Sequence, residues 1–314
     1  MYSNAMRMVN VVKKVGLMLL WMTVLLIFTA CSEDSSTKEV DENGWPTTLR
    51  MGMMATEDDN NMARSSSAFA EDLAEELGIE VEMFEGQDYN MMIEAMRAEQ
   101  IDLTNYGPFG YIIAVERSGA LPLAILGESE ESAMYQSVII VPADSPVERL
   151  EELEGEDFLF VDPASTSGHL FPRASMLSQL GIENEQLEGY FNSVTYSGGH
   201  DKSILAIANG DAAGAAVCEF CVEMFAESGL FDPSDVRVIQ TTDPIPGGPL
   251  AYRDGLPEDL VEKIKDFALS YHEKNPEYFE VMGMKGYFPV EDSDFDVIRE
   301  TAELLNMSPE EMLN

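Results

Sequence analysis

Beyond a polar N-terminal stretch, short apolar segments alternate with amphipathic helical patterns, and this alternation limits the chain to few folds. Residues 49–53, 81–84 and 101–104 are typical of buried strands, whereas residues 63–77 and 89–98 repeat apolar positions with a helical period. Strands that are separated by helices form parallel sheets, because each helix returns the chain to the edge where the next strand begins. The sequence therefore predicts an α/β fold with a mostly parallel sheet.

The alternation is interrupted once and then restarts, which predicts two lobes. Residues 142–146 contain two prolines and break the pattern, and residues 241–249 are too rich in Pro and Gly for a regular element. Both segments are expected to cross between lobes and to act as a hinge, with ligands bound in the cleft. We expect residues 47–142 and 247–314 to form lobe I, and residues 143–246 to form lobe II.

Residues 1–30 have the pattern of an export signal. Basic residues precede an apolar run of residues 15–29, which is shorter than the roughly 20 residues of a membrane-spanning helix. The run ends directly before Cys31 and resembles a bacterial lipoprotein signal, although an uncleaved anchor helix is the alternative. We expect an exported protein that is lipid-anchored at Cys31, on the outer face of the membrane or in the periplasm. Residues 31–46 are polar and acidic and predict a flexible tether.

Charge and cysteine content restrict the partners. The formal net charge is −40, which argues against nucleic acid as a partner. Cys218 and Cys221 form a CxxC pattern that predicts either a local disulfide or two packed thiols. Haem attachment needs a histidine at position 222, where this chain has Val222, and zinc needs two further ligands. No metal or other cofactor is expected.

The strongest functional signal is a strand that enters a helix through three consecutive hydroxyl residues, Ser165, Thr166 and Ser167. A helix start leaves about four backbone N–H groups without partners and carries a partial positive charge, so it suits an oxyanion. Gly168 permits close approach of the backbone. The alternative is an ordinary N-cap, for which one hydroxyl suffices. The run therefore predicts an anion site.

Two further strand-to-helix turns are of the same type. One follows the strand at residues 101–104 and offers the Tyr106 hydroxyl and the Gly107 amide to the cleft, unless the tyrosine is simply packed on its neighbours. The other is rich in glycine and places His200 at a helix start, where it can donate to an oxyanion. Asp201 either caps that helix or faces the ligand.

Together these motifs resemble the PhnD-like solute-binding proteins of ABC transporters for phosphonate, phosphite and phosphate. The resemblance rests on four segments in family order, which are residues 105–108 (NYGP), 162–168 (DPASTSG), 199–201 (GHD) and 244–249 (PIPGGP). It implies a two-lobed, type II-like periplasmic-binding-protein fold that closes on a tetrahedral oxyanion. It also implies delivery of the ligand to an ABC permease and its ATPase.

The resemblance further implies which side chains bind. The expected ligand-binding set is Ser165, Thr166, Ser167, Tyr106, Gly107, His200, Asp201, Tyr89 and Glu219. In this set Tyr89 is equally consistent with core packing, and Glu219 is placed to meet an amine on the ligand. Gly248 stands where some relatives carry an acid, which argues against an amine-selective pocket.

Two other function classes are compatible with these residues. One is an enzyme that processes phosphoesters, with Ser165 as nucleophile and His200 as base. The sequence has no GxSxG elbow, Walker loop or metal-ligand cluster, which argues against it. The other is a ligand-sensing partner of a membrane receptor. We expect a binding protein without catalysis.

Overall fold

The computed structural model describes residues 40–55, 62–280, 282–307 and 309. The predicted signal peptide, Cys31 and most of the predicted tether lie outside these residues. Within the described part of the chain, no helix has the length and apolar character that crossing a membrane requires.

The described residues alternate strands and helices throughout. In chain order, the elements are β1 (Thr48–Met54), α1 (Met62–Leu77), β2 (Glu80–Gly86), α2 (Tyr89–Arg97), β3 (Leu103–Asn105), α3 (Pro108–Ser118), β4 (Leu121–Gly127), β5 (Met134–Tyr135), β6 (Ser137–Pro142), β7 (Asp157–Phe160), α4 (Phe171–Leu180), α5 (Leu187–Tyr190), β8 (Ser193–Tyr196), α6 (His200–Ala208), β9 (Gly214–Cys218), α7 (Glu219–Glu227), β10 (Val236–Thr241), β11 (Ile245–Pro246), β12 (Pro249–Tyr252), α8 (Glu258–Lys274), α9 (Glu277–Glu280), β13 (Gly286–Phe288) and α10 (Asp296–Leu304).

The strands form two main sheets, and corresponding strands follow one another in the same order in both sheets. Lobe I has a six-stranded sheet in the order β13-β4-β12-β3-β1-β2, and lobe II has a five-stranded sheet in the order β10-β6-β9-β7-β8. In each sheet three parallel strands are followed by one antiparallel strand, β12 in lobe I and β6 in lobe II. The predicted two-lobed α/β fold is confirmed.

A short antiparallel ribbon of β5 and β11 connects the lobes. The second crossing therefore runs through Ile245–Pro246, next to the predicted position. The first crossing differs from the prediction. Ser137–Pro142 pairs with β9 and β10, so it is a strand of lobe II and the crossing comes before Ser137 rather than after Pro142. The proline at the end of this strand interrupts the sequence pattern, but the chain does not cross between the lobes there.

Two local predictions also need correction. The end of the predicted tether is ordered, because Asp41 Oδ1 accepts the N–H groups of Asn43 and Trp45 and the indole of Trp45 is buried. The apolar spacing of residues 147–153 also predicts a helix, but the structure has only a 3-10 turn there, Leu150–Leu153. A single turn is enough to bury its two leucines and to expose its two glutamates.

The site is positioned by the carboxyl ends of the parallel strands. In an open α/β sheet, the loops that leave these ends form the ligand crevice. At the other end of lobe I, Asp102 joins three strands: its carboxylate accepts from Arg253 Nε at 2.6 Å and from the Arg50 N–H at 2.8 Å. This buried ion pair holds β1, β3 and β12 together and leaves the cleft end free for binding.

Candidate functional site

A cavity of about 270 Å³ lies between the lobes, where the loops after β1, β3, β7, β8 and β9 meet. All three strand-to-helix turns singled out in the sequence contribute to its lining. The structure therefore brings together segments that are separated by as many as about ninety residues in the chain.

The Ser165–Ser167 turn brings three consecutive hydroxyl residues to the cavity. Ser165 is the N-cap of a single π-helical turn, Thr166–Leu170, that continues into α4, and its Oγ accepts from the Gly168 N–H at 3.0 Å. The N–H groups of Thr166 and Ser167 belong to the first helical turn, where no carbonyl precedes them within the helix. The buried Ser137 hydroxyl donates to the Ser167 carbonyl at 2.5 Å and fixes the turn.

Thr166 also joins the two lobes. Its Oγ1 accepts from the backbone N–H of Phe109 at 2.8 Å. Phe109 lies in the first turn of α3, after the N-cap Gly107, so a second helix start meets the hydroxyl run from the opposite lobe. A hydroxyl that accepts from Phe109 retains its own proton for an oxyanion.

Two phenols complete this side of the cavity. The Tyr89 hydroxyl lies beside the Ser165 side chain, and the Tyr135 hydroxyl lies beside the side chains of Ser167 and Thr166. Burial raises the pKa of Tyr89 well above its usual value and raises the pKa of Tyr135 to about 12. Both phenols are therefore neutral at neutral pH and available as hydrogen-bond donors.

His200 lies at the start of α6 as a neutral donor. The Cys218 N–H donates to His200 Nδ1 at 3.1 Å, and burial lowers the pKa of His200 to about 4. Because Nδ1 accepts, the ring proton resides on Nε2, the remaining donor for a ligand.

Two predicted residues are placed differently from expectation, and a third, Asp201, lies where one of its two alternatives put it. The Tyr106 hydroxyl donates to the Met92 carbonyl at 3.1 Å inside lobe I, so Tyr106 lines the cavity without offering its hydroxyl. Glu219 is exposed at the start of α7 and is not among the described residues that line the cavity. Asp201 lines the cavity and is buried, but the N-cap of α6 is Gly199 rather than Asp201.

Several lining residues were missed in the sequence. Tyr135 lies in the hinge ribbon, where no periodic pattern marks it, and Asn105 ends β3 with its Oδ1 accepting from Tyr287 at 2.9 Å. Ser65 and Ser66 of α1 also line the cavity. A signal for these two was present, because Ser65 begins a run of three hydroxyl residues in the first turns of a helix, as Ser165 does beside α4.

Ser165 and His200, the nucleophile and base of the enzyme alternative, each form hydrogen bonds with other groups. Ser165 Oγ accepts from the Gly168 N–H, and His200 Nδ1 accepts from the Cys218 N–H. Among the hydrogen bonds of the described residues, none joins Ser165 to His200. The two cysteines of the CxxC pattern form a disulfide beside His200, so their sulfurs hold no thiolate for a metal ion.

Most of the chain is similar to known proteins. A family model described as ABC transporter, phosphonate, periplasmic substrate-binding protein matches residues 51–295. The chain is 29% identical over 301 residues to the phosphate-import protein PhnD of Mycolicibacterium smegmatis, a match that covers 90% of this chain and 93% of the relative. It is 30% identical over 245 residues to the phosphonates-binding periplasmic protein of Escherichia coli, covering 77% and 71%. The structure of PhnD1 from Prochlorococcus marinus in complex with methylphosphonate superimposes with a TM-score of 0.74 at 19% identity, covering 83% of this chain and 99% of that one.

Proposed function

This chain belongs to the family of periplasmic substrate-binding proteins of phosphonate ABC transporters, and we propose that it captures a phosphonate, phosphite or phosphate between its lobes. Family membership confirms the resemblance drawn from the four sequence motifs. The family consists of exported transporter subunits rather than enzymes. The named relatives include a phosphate importer and a methylphosphonate complex, so the family accommodates more than one substituent on phosphorus.

The observation that carries the proposal is the convergence of donors on the Ser165–Ser167 turn. First-turn N–H groups and hydroxyls of this turn face the cavity together with the phenols of Tyr89 and Tyr135. His200 Nε2 adds a donor from a second helix start. A tetrahedral oxyanion presents several acceptor oxygens in different directions, and donors from several elements satisfy them together.

The anion is held by dipoles rather than by cationic side chains. Among the described residues that line the cavity there is no Lys and no Arg. Helix starts carry about half a positive charge each, and hydrogen bonds to a charged group contribute about 1.5–3 kcal/mol each. Several such bonds in a closed cleft supply the roughly 8 to 12 kcal/mol that micromolar to nanomolar capture requires.

The proposed partners are an ABC permease and its ATPase, which receive the ligand from the closed protein. Membership in a family of transporter binding proteins supports them.

Isothermal titration calorimetry tests the capture function. The panel is phosphate, phosphite, methylphosphonate, 2-aminoethylphosphonate and sulfate at neutral pH. We expect saturable binding of at least one phosphorus oxyanion, and weaker binding of sulfate, because sulfate is fully deprotonated and has no proton for the buried carboxylate of Asp201. No heat with any phosphorus compound would contradict the proposal.

We further propose that Cys31 carries a lipid that keeps the protein at the membrane. The support is the sequence pattern before Cys31. In a lipoprotein-processing host, palmitate labelling is expected for the wild-type chain and not for Cys31→Ala. Equal labelling of both would refute the anchor.

A further inference from the structure

One side of the ligand cavity is apolar, and we call it the methionine wall. It consists of Met53, Met54, Phe220, Met224, Met282 and Met284. These residues come from the end of β1, from α7 and from the segment after α9. None of them donates a hydrogen bond that an oxyanion can use. The oxyanion proposed above leaves this wall without a function.

The wall begins next to the oxyanion donors. The rings of Tyr135 and Phe220 contact each other edge to face with centroids 5.6 Å apart. Phe220 and Met224 are four residues apart on α7 and so share one helix face. Phe220 and Met282 each pack against the apolar cores of both lobes. A group attached to a phosphorus atom at the Ser165–Ser167 turn therefore extends directly along the wall.

The cavity is larger than a bare oxyanion needs. Its volume is about 270 Å³, whereas an apolar cavity of about 150 Å³ is enough to bind benzene. Methionine side chains are flexible and polarisable, so they adapt to apolar groups of different shape. The space accommodates a phosphoryl head together with a group of roughly benzene size.

We propose that the preferred ligand is a phosphonate that carries an apolar alkyl or aryl substituent, with the substituent packed on the methionine wall. This inference rests on the proposed function, because it assumes that the phosphonate oxygens occupy the Ser165–Ser167 turn.

The distribution of charge in the cavity favours this ligand over an aminophosphonate. Asp201 is the one carboxylate among the described lining residues, and it belongs to the first turn of α6 rather than to the segments that form the wall. An ammonium group against methionine and phenylalanine side chains would lose hydration without gaining a counter-charge. Gly248 does not hold an acid in this fold, because a Cβ there would collide with the Tyr106 carbonyl oxygen.

Calorimetry with a matched ligand series tests the inference. The purified protein is titrated with methyl-, ethyl-, propyl-, butyl- and phenylphosphonate, and propylphosphonate is compared with 2-aminoethylphosphonate, which has nearly the same shape but ends in an ammonium group. We expect affinity to rise from methyl to butyl by up to about fourfold per methylene, the value for a fully buried CH₂. Propylphosphonate should bind at least about tenfold more tightly than 2-aminoethylphosphonate.

The outcomes separate this inference from the proposed function. Binding of methylphosphonate that weakens or stays constant with chain length, or a preference for the amine, would overturn the apolar substituent and leave phosphonate capture intact. No binding of any phosphonate in the series would also overturn the inference, and the proposed function would fall with it only if phosphate and phosphite gave no binding heat either.

A pair of variants tests whether the substituent packs on the methionine wall. Met224→Gln should reduce the gain per methylene, because an amide in the wall must be desolvated by the alkyl group. Met91→Gln changes an exposed methionine on α2 outside the cavity and should leave the whole series unchanged. A gain per methylene that is equal in Met224→Gln and wild type would place the substituent elsewhere. The wild-type series decides the inference even if Met224→Gln does not fold.

Discussion

At the scale of single residues, Thr166 links the anion site to the opposite lobe. Its hydroxyl accepts from the Phe109 N–H and lies in the first turn of the helix that offers its amides to the ligand. The Tyr135 hydroxyl lies beside the same side chain. One side chain therefore belongs both to the proposed ligand shell and to the contact between lobes.

Replacing Thr166 by valine keeps the shape of the side chain and removes its hydroxyl. We expect Thr166→Val to weaken methylphosphonate binding by about 1–3 kcal/mol, since a hydrogen bond to a charged group is lost. Calorimetry provides the measurement. Thr301→Val is the matched control, because Thr301 is on α10 and its hydroxyl donates only to the Val297 carbonyl of its own helix. Equal affinities for Thr166→Val and wild type would place the anion elsewhere.

His169 is a second informative residue, although it lies behind the site. It is buried, its Nδ1 donates to the Pro163 carbonyl at 3.0 Å, and its Nε2 accepts from the Tyr196 hydroxyl at 3.1 Å. Burial lowers the pKa of His169 to about 4 from 6.5. The neutral ring thus fixes the loop that leads into the Ser165–Ser167 turn.

The depressed pKa of His169 predicts a loss of stability in acid. Between pH 6.5 and about 4 the unfolded chain takes up a proton at this residue before the folded chain does. The free energy of unfolding therefore falls as pH decreases, by at most about 1.4 kcal/mol per pH unit for one histidine. Above pH 6.5 this contribution is fully present.

Urea unfolding of wild type and His169→Asn between pH 7 and pH 4.5 isolates the effect, because carboxylates and His200 titrate in both proteins. Asparagine retains a donor for the Pro163 carbonyl. We expect the stability advantage of wild type over His169→Asn to shrink as pH falls through this window. An advantage that is independent of pH would show that His169 does not titrate as inferred.

At the scale of elements, the turn before α4 depends on close packing against the end of β7. Gly168 lies against Val161, and the Val161 N–H donates to the Gly168 carbonyl at 2.9 Å. A Cβ at Gly168 would collide with the Val161 side chain and with Ser165 Oγ. The glycine is therefore required by space rather than by an unusual φ angle.

Gly168→Ala should force the turn away from β7. We expect a loss of about 1–3 kcal/mol in stability from overpacking, together with weaker anion binding, because the displaced turn carries the donors. Gly189→Ala is the control. Gly189 lies in α5, a Cβ there meets nothing within 4 Å, and alanine should leave stability unchanged or raise it by up to about 1 kcal/mol. Urea unfolding and calorimetry measure the two effects, and wild-type behaviour of Gly168→Ala would contradict the packing argument.

At the scale of the whole molecule, the site is completed by both lobes. Tyr89 and Phe109 belong to lobe I and contact Ser165 and Thr166 of lobe II. Between the lobes the chain crosses through the ribbon of β5 and β11. A ligand that contacts both lobes binds the closed state more tightly and so shifts the population toward closure.

Small-angle scattering should therefore record a smaller radius of gyration when methylphosphonate saturates the protein than when it is absent. For Thr166→Val at the same ligand concentration, we expect a smaller decrease in the radius of gyration. The substitution weakens ligand binding and removes the hydrogen bond between the lobes. A constant radius of gyration alongside saturable binding heat would contradict ligand-driven closure.

The sequence by itself determined the features that depend on short stretches of the chain. The alternation of strands and helices predicted two α/β lobes, because hydrophobic period reports secondary structure directly. The hydroxyl run at residues 165–167 predicted where an anion-binding turn lies, since a helix start carries its donors wherever it is packed. The placement of Cys218 and Cys221 in a disulfide was one of two alternatives that spacing alone left open.

Only the tertiary structure decided which residues far apart in the sequence come into contact. Tyr106 turns its hydroxyl to Met92 inside lobe I, whereas Tyr135, which no sequence pattern marked, reaches the anion turn from the hinge. The assignment of Ser137–Pro142 to lobe II depends on pairing with strands some eighty to a hundred residues later. Such choices are set by long-range packing and strand pairing, which the local pattern of a sequence does not encode.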